Sequence, residues 1–158
     1  RIAAGEEPQD FDLARAEMMR AVRTACRRFD ITDACLFDSG SFDASIARGR
    51  RDYARIMLDT KIALAPRGTH TETPRLLEAV SAGCIVVSER LPDRWYYRSS
   101  PIIQLDDWSQ LADVVGPLLA APVAMRRLQA ETISYWERQC SPAAMARFMA
   151  AAMGLASS

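Results

Sequence analysis

"KIALAPRGTHTETPRLLEAVSAGCIVVSE", residues 61–89, decides the fold. The apolar run "KIALAP" reads as a strand, "TPRLLEAVSAG" as a helix stopped by Gly83, and "CIVVSE" as a second strand. "CIVV" has no polar alternation, the pattern of a strand buried on both faces. Strand, helix and strand in this order imply parallel pairing through a right-handed crossover. Thr73 followed by Pro74 marks a helix start: an N-cap, then proline where a missing N–H costs nothing.

The pattern continues outward from this unit. Upstream, "DLARAEMMRAVRTACRRF" carries Leu13, Ala14, Met18, Ala21, Val22 and Ala25 near helical spacing, predicting a helix from 12 to 29. "DACLFDS" reads as a short strand and "RRDYARIMLDT" as a helix, while "RIAAG" reads as the tail of a strand that begins before residue 1. Downstream, the loop "RLPDRWYYRSS" leads to the strand "PIIQLD". "WSQLADVVGPLLAA", "VAMRRLQAETISYWERQ" and "PAAMARFMAAAM" are helical, and "GLASS" is a frayed end. The fold class is α/β: a three-layer α/β/α Rossmann-like unit with a parallel sheet and C-terminal helices, one domain over residues 1–158.

Composition limits the function. The chain has 158 residues, 49% hydrophobic and 25% charged, with twenty basic and twenty acidic side chains. That balance gives no electrostatic case for nucleic acid as a partner. Lys61 is the one lysine, which together with abundant alanine suits a GC-rich bacterial genome. Cys26, Cys35, Cys84 and Cys140 lie far apart beside a single histidine, His70, so no zinc-site spacing exists and no metal is expected. Cys35 and Cys84 sit in apolar runs as small core residues. Reduced cysteines, no apolar stretch of about 20 residues and no signal peptide make the expected location cytoplasmic.

In open α/β sheets ligands bind beyond the carboxyl ends of the strands, and the loop after "KIALAP" is such an end. The amides opening the next helix, and its dipole, favour an anion. Leu76, Leu77 and Val80 share the face that packs on the sheet, while Arg75 and Glu78 fall together on another. A cation in the first turn opposes the dipole at a cost of about 0.3–1 kcal/mol, so Arg75 suggests a negative neighbour. Arg67 and Gly68 flank the same mouth, the glycine allowing close backbone approach. An exposed ion pair between Arg75 and Glu78, and a plain turn at Gly68, account for the spacing equally well.

These residues resemble the nucleotide-sugar-binding C-terminal half of GT-B glycosyltransferases, most closely the exostosin-like branch. The matches are Pro66 and Gly68; then Pro74, Arg75, Leu76, Leu77, Glu78 and Ala79; then Ala82, Gly83, Cys84 and Ile85. The resemblance is dense over about residues 55–92. It implies a donor domain that binds a nucleotide diphosphate sugar for glycosyl transfer to a saccharide or lipid-linked acceptor, as in polysaccharide assembly. It also implies that the chain is a fragment lacking the N-terminal Rossmann-like half, inactive alone, with the whole enzyme peripheral to the inner membrane. GT-B enzymes are generally metal-independent, so no cofactor is expected. Arg75 and Arg67 would neutralise the diphosphate leaving group, and Glu78 would accept from the ribose hydroxyls. Gly68, His70, Glu72 and Thr73 complete the donor-binding set.

The sequence departs from the family pattern in two places. His70 stands where many relatives carry the first glutamate of E-x₇-E, with Glu72 two residues on to take its place, and Val86 replaces the usual proline. His70 is a candidate catalytic base by its pKa class, and otherwise a loop histidine near the donor. Glu89, at a strand end, reads as a cap on the next turn in preference to a ligand contact, and Asp106 and Asp107 as a strand end and helix cap beside Trp108. Trp95, Tyr96 and Tyr97 read as aromatics that pack on the sheet edge or a missing domain in preference to stacking on a base or sugar. A non-catalytic Rossmann-type binding or scaffold module is the alternative. A nicotinamide-dependent dehydrogenase is disfavoured, because no G-x-G-x-x-G follows a strand.

Overall fold

The computed structural model describes residues 10–34 and 46–155. The segments "RIAAG" and, beyond Ala34, "DACLFDS" fall outside the described residues, as does Cys35. Helices α1 (Asp10–Phe29) and α2 (Ile46–Asp59) precede the strand–helix–strand unit β1 (Ile62–Ala65), α3 (Pro74–Ser81) and β2 (Ile85–Glu89). Strand β3 (Ile103–Leu105) follows, then a short 3₁₀ turn at Trp108–Gln110, α4 (Leu111–Ala120), α5 (Pro122–Tyr135) and α6 (Pro142–Ala152). A single wide turn, Trp136–Cys140, joins the last two helices; there the Ser141 N–H donates to the Trp136 carbonyl at 2.8 Å, where the sequence reading has an unbroken helix to 139. Helix α2 also begins earlier than its sequence pattern suggests.

The sheet has three strands in the order β1-β2-β3, all parallel, with Ala65 opposite Ser88 and Glu89 opposite Leu105. Its central strand shows why "CIVV" lacks alternation. Side chains alternate between faces at period two, and both faces of β2 are covered. Val87 packs with Leu105, Trp108, Leu111 and Val115 of the layer containing α1 and α4, and Ile85 meets Leu118 and Met125. Val86 points the other way, into a cluster with Ala63, Leu76, Val80, Cys84 and Tyr135. Helices therefore cover both faces of a parallel sheet, an arrangement compatible with a Rossmann-like unit.

Two glycines set how closely the layers approach. Gly83 has φ +76° and ends α3: its N–H donates to the Val80 carbonyl at 3.1 Å, and that of Cys84 to Ala79 at 3.0 Å. These two bonds form the Schellman pattern, which returns the chain at once into β2. A Cβ on Gly116 would lie 2.5 Å from the Phe29 ring, so its absence permits the contact between α4 and α1. Cys84 is fully buried, and burial pushes its thiol up to about 11, so it behaves as the core residue its surroundings predict. Asp107 caps the 3₁₀ turn, accepting from the Ser109 N–H at 2.7 Å, as its place before Trp108 predicts.

Between β2 and β3 the connection is a loop without a helix. Tyr97 and Ile102 from this loop are buried in the cluster beneath α3. The buried Tyr135 hydroxyl donates to the Tyr96 carbonyl at 2.7 Å and fixes the loop from below. Trp95, at the outer edge, stacks on Phe148 of α6 with ring centroids 4.9 Å apart.

Candidate functional site

The loops leaving β1 and β2 both lie at the carboxyl edge of the sheet, and charged side chains bind them together. The Arg67 main-chain N–H donates to Glu89 Oε2 at 2.7 Å, and its guanidinium Nε lies 3.4 Å from Glu89 Oε1. Register explains the contact: Ala65 pairs with Ser88, so the next residue of β2 faces the loop leaving β1. The sequence reading of Glu89 as a cap on the following turn is thus replaced by a brace across strand ends. Arg67 meets Glu89 in a half-buried setting, with 35% and 17% of their side chains exposed, so its charge is substantially compensated by protein.

Gly68 donates its N–H to the His70 carbonyl at 3.0 Å in a tight turn that leaves His70 exposed. A Cβ at residue 68 would find the Thr73 methyl at 3.6 Å, ordinary contact, so protein packing does not itself require glycine there. Glu72 is tied to the second loop. Its Oε1 accepts from the Tyr96 hydroxyl at 2.9 Å, and its Oε2 from two Arg94 nitrogens at 3.3 Å each. The Tyr96 hydroxyl, followed by Arg94, holds this carboxyl below the usual glutamate range against the opposing effect of burial.

Helix α3 begins as its sequence predicts, with Thr73 extended (φ −103°, ψ 150°) and Pro74 in the first turn. The Thr73 hydroxyl, however, makes no capping bond, and its oxygen is buried without a hydrogen-bond partner. Pro74 has no N–H to offer, and the Leu76 N–H donates to the Thr73 carbonyl at 3.1 Å. The turn therefore offers an anion fewer amides than an ordinary helix start, and more of any anion binding falls to the Arg75 guanidinium.

Arg75 and Glu78 are both exposed on α3. Glu78 Oε2 accepts from the Tyr53 hydroxyl of α2 at 3.0 Å. Burial, then the hydrogen bond to Glu78 and its charge, push the Tyr53 phenol up to about 12, with nearby Arg75 acting in the opposite sense. Tyr53, Arg75 and Glu78 thus form one electrostatic cluster. The donor-binding residues expected from sequence share one strand-to-helix turn, but three of their charged side chains are held by separate sets of partners: Arg67 by Glu89, Glu72 by Arg94 and Tyr96, and Glu78 by Tyr53.

Tyr53, Arg94 and the bracing role of Glu89 escape a motif reading, because each joins the turn through tertiary contact. The one visible signal is "RWYY", an arginine followed by aromatics in a strand-end loop. Among the described residues no three histidine, cysteine, aspartate or glutamate side chains gather as a metal site, and no helix is long and apolar enough to cross a membrane. Comparisons with protein-family profiles, with curated proteins and with solved structures give no match to this chain.

Proposed function

We propose that the chain is the donor half of a GT-B glycosyltransferase and binds a nucleotide diphosphate sugar at the β1–α3 turn. The observation that carries this reading is the exposed pair Arg75 and Glu78 on the helix that follows the carboxyl end of a parallel strand. A guanidinium there suits a pyrophosphate, offering a planar fork to its oxygens. A carboxylate one turn further on suits a ribose diol, accepting from both hydroxyls. During transfer the diphosphate departs with increased negative charge, and a positioned arginine stabilises that charge more in the transition state than in the ground state. Glycosyl transfer would need a second Rossmann-like half to supply the acceptor side of the cleft. Saccharide or lipid-linked acceptors, a peripheral position at the inner membrane, and His70 as a base or donor contact belong to the same proposal.

One observation favours a second reading, a non-catalytic Rossmann-type scaffold. The pairings Arg67–Glu89 and Glu72–Arg94–Tyr96 also serve to brace loops, with no ligand required. Calorimetric titration of UDP and GDP separates the two. The donor reading predicts binding of at least one nucleotide, with no transfer by this chain alone. It also predicts that Arg75→Ala lowers affinity tenfold or more, the loss of hydrogen bonds to a charged group worth roughly 1.5–3 kcal/mol. Absence of heat with both nucleotides, or an unchanged affinity in Arg75→Ala, supports the scaffold.

A further inference from the structure

We infer that Tyr53 is the positioning residue for Glu78, aiming that carboxylate at the ribose hydroxyls of the bound nucleotide; this rests on the donor reading above. A glutamate on an exposed helix face has three side-chain torsions and gives up considerable rotamer freedom on being fixed. Tyr53 supplies a fixed point. Its side chain is half-buried, has two torsions, and donates to Glu78 Oε2 at 3.0 Å. Its own helix is anchored one turn further along: Met57 packs against the core cluster, and the buried Cys84 thiol approaches the Met57 carbonyl at 3.4 Å and its sulfur at 3.7 Å. The same helical face thus carries a core anchor and a polar strut.

The Tyr53 hydroxyl is suited to this role. The Tyr53 phenol, pushed up to about 12, keeps its proton at neutral pH and remains a donor. A carboxylate such as that of Glu78 accepts hydrogen bonds and donates none. With Oε2 engaged by Tyr53, Oε1 and the second lone pair of Oε2 can meet a vicinal diol, which presents two donors. A bare carboxylate on a mobile side chain would accept the same bonds at a larger cost in ordering.

Calorimetry with UDP and 2′,3′-dideoxy-UDP, which lacks both hydroxyls, tests this on the full chain, because a general loss of structure weakens both nucleotides alike. Wild type should favour UDP, and Tyr53→Phe should reduce that preference by roughly three- to tenfold while leaving 2′,3′-dideoxy-UDP affinity unchanged. In a Glu78→Gln background, Tyr53→Phe should have no further effect on the preference. An unchanged preference in a folded Tyr53→Phe protein, or equal weakening of both ligands, overturns the positioning role while the donor reading stands. Failure of the wild-type chain to bind both UDP and GDP removes the donor reading, and this inference with it; binding of GDP alone moves the same comparison to GDP and 2′,3′-dideoxy-GDP.

Discussion

At the scale of single residues, Glu72 makes its three hydrogen bonds across two loops and has its carboxyl held below the ordinary value of 4.5, first by the Tyr96 hydroxyl and then by Arg94. A carboxyl depressed on folding stabilises the protein above its unfolded-state pKa and loses that contribution as pH falls through the folded value. Glu72→Gln should therefore be less stable than wild type at pH 7, by under about 1 kcal/mol because the carboxylate is partly solvated. Thermal melts from pH 7 to pH 3 should show the gap closing once the wild-type carboxyl is protonated. A gap that stays constant over that range would contradict the assigned cause. Thr73 poses the opposite case: a buried hydroxyl without a partner, which ordinarily costs about 1–3 kcal/mol. Its backbone starts the helix while its side chain adds no cap.

At the scale of elements, the β1–α3–β2 unit depends on how abruptly α3 ends. Gly83 is in the left-handed region, and a Cβ there would lie 2.8 Å from the Ile133 side chain of α5. Gly83→Ala should lower stability by about 2 kcal/mol, combining left-handed strain of about 1 kcal/mol or more with displacement of Ile133. Urea denaturation checks this; a loss under about 0.5 kcal/mol would show that the turn relaxes freely. This unit is legible in the sequence because its signals are local: Thr-Pro at the start, Gly83 at the stop, and an unbroken apolar run in β2. Charge partners are not legible in that way. Tyr53 and Glu78 are 25 residues apart, and Arg67–Glu89 and Glu72–Arg94 are each 22 apart, so their pairing follows from register and loop path. The wide turn at Trp136–Cys140 is hidden for the same reason. Its apolar spacing is helical, and the extra residue in the turn leaves Trp136 and Cys140 packed against the core beneath α3.

At the scale of the whole molecule, the parallel sheet places the loops after β1 and β2 along one edge, and buried Tyr135 supports the second loop through Tyr96. Tyr96 in turn holds Glu72, so a hydrogen-bonded connection runs from the core to the rim of the candidate site. The rim is thus braced at Glu72 and at Glu89, and Glu78 is held from α2 by Tyr53 beside the exposed Arg75. A crystal structure of the full chain soaked with UDP tests the central claim most directly. The account predicts the pyrophosphate at the head of α3 against the Arg75 guanidinium, with the ribose hydroxyls on Glu78. A nucleotide bound elsewhere, or Arg75 turned away from a turn that protein atoms fill, would contradict it.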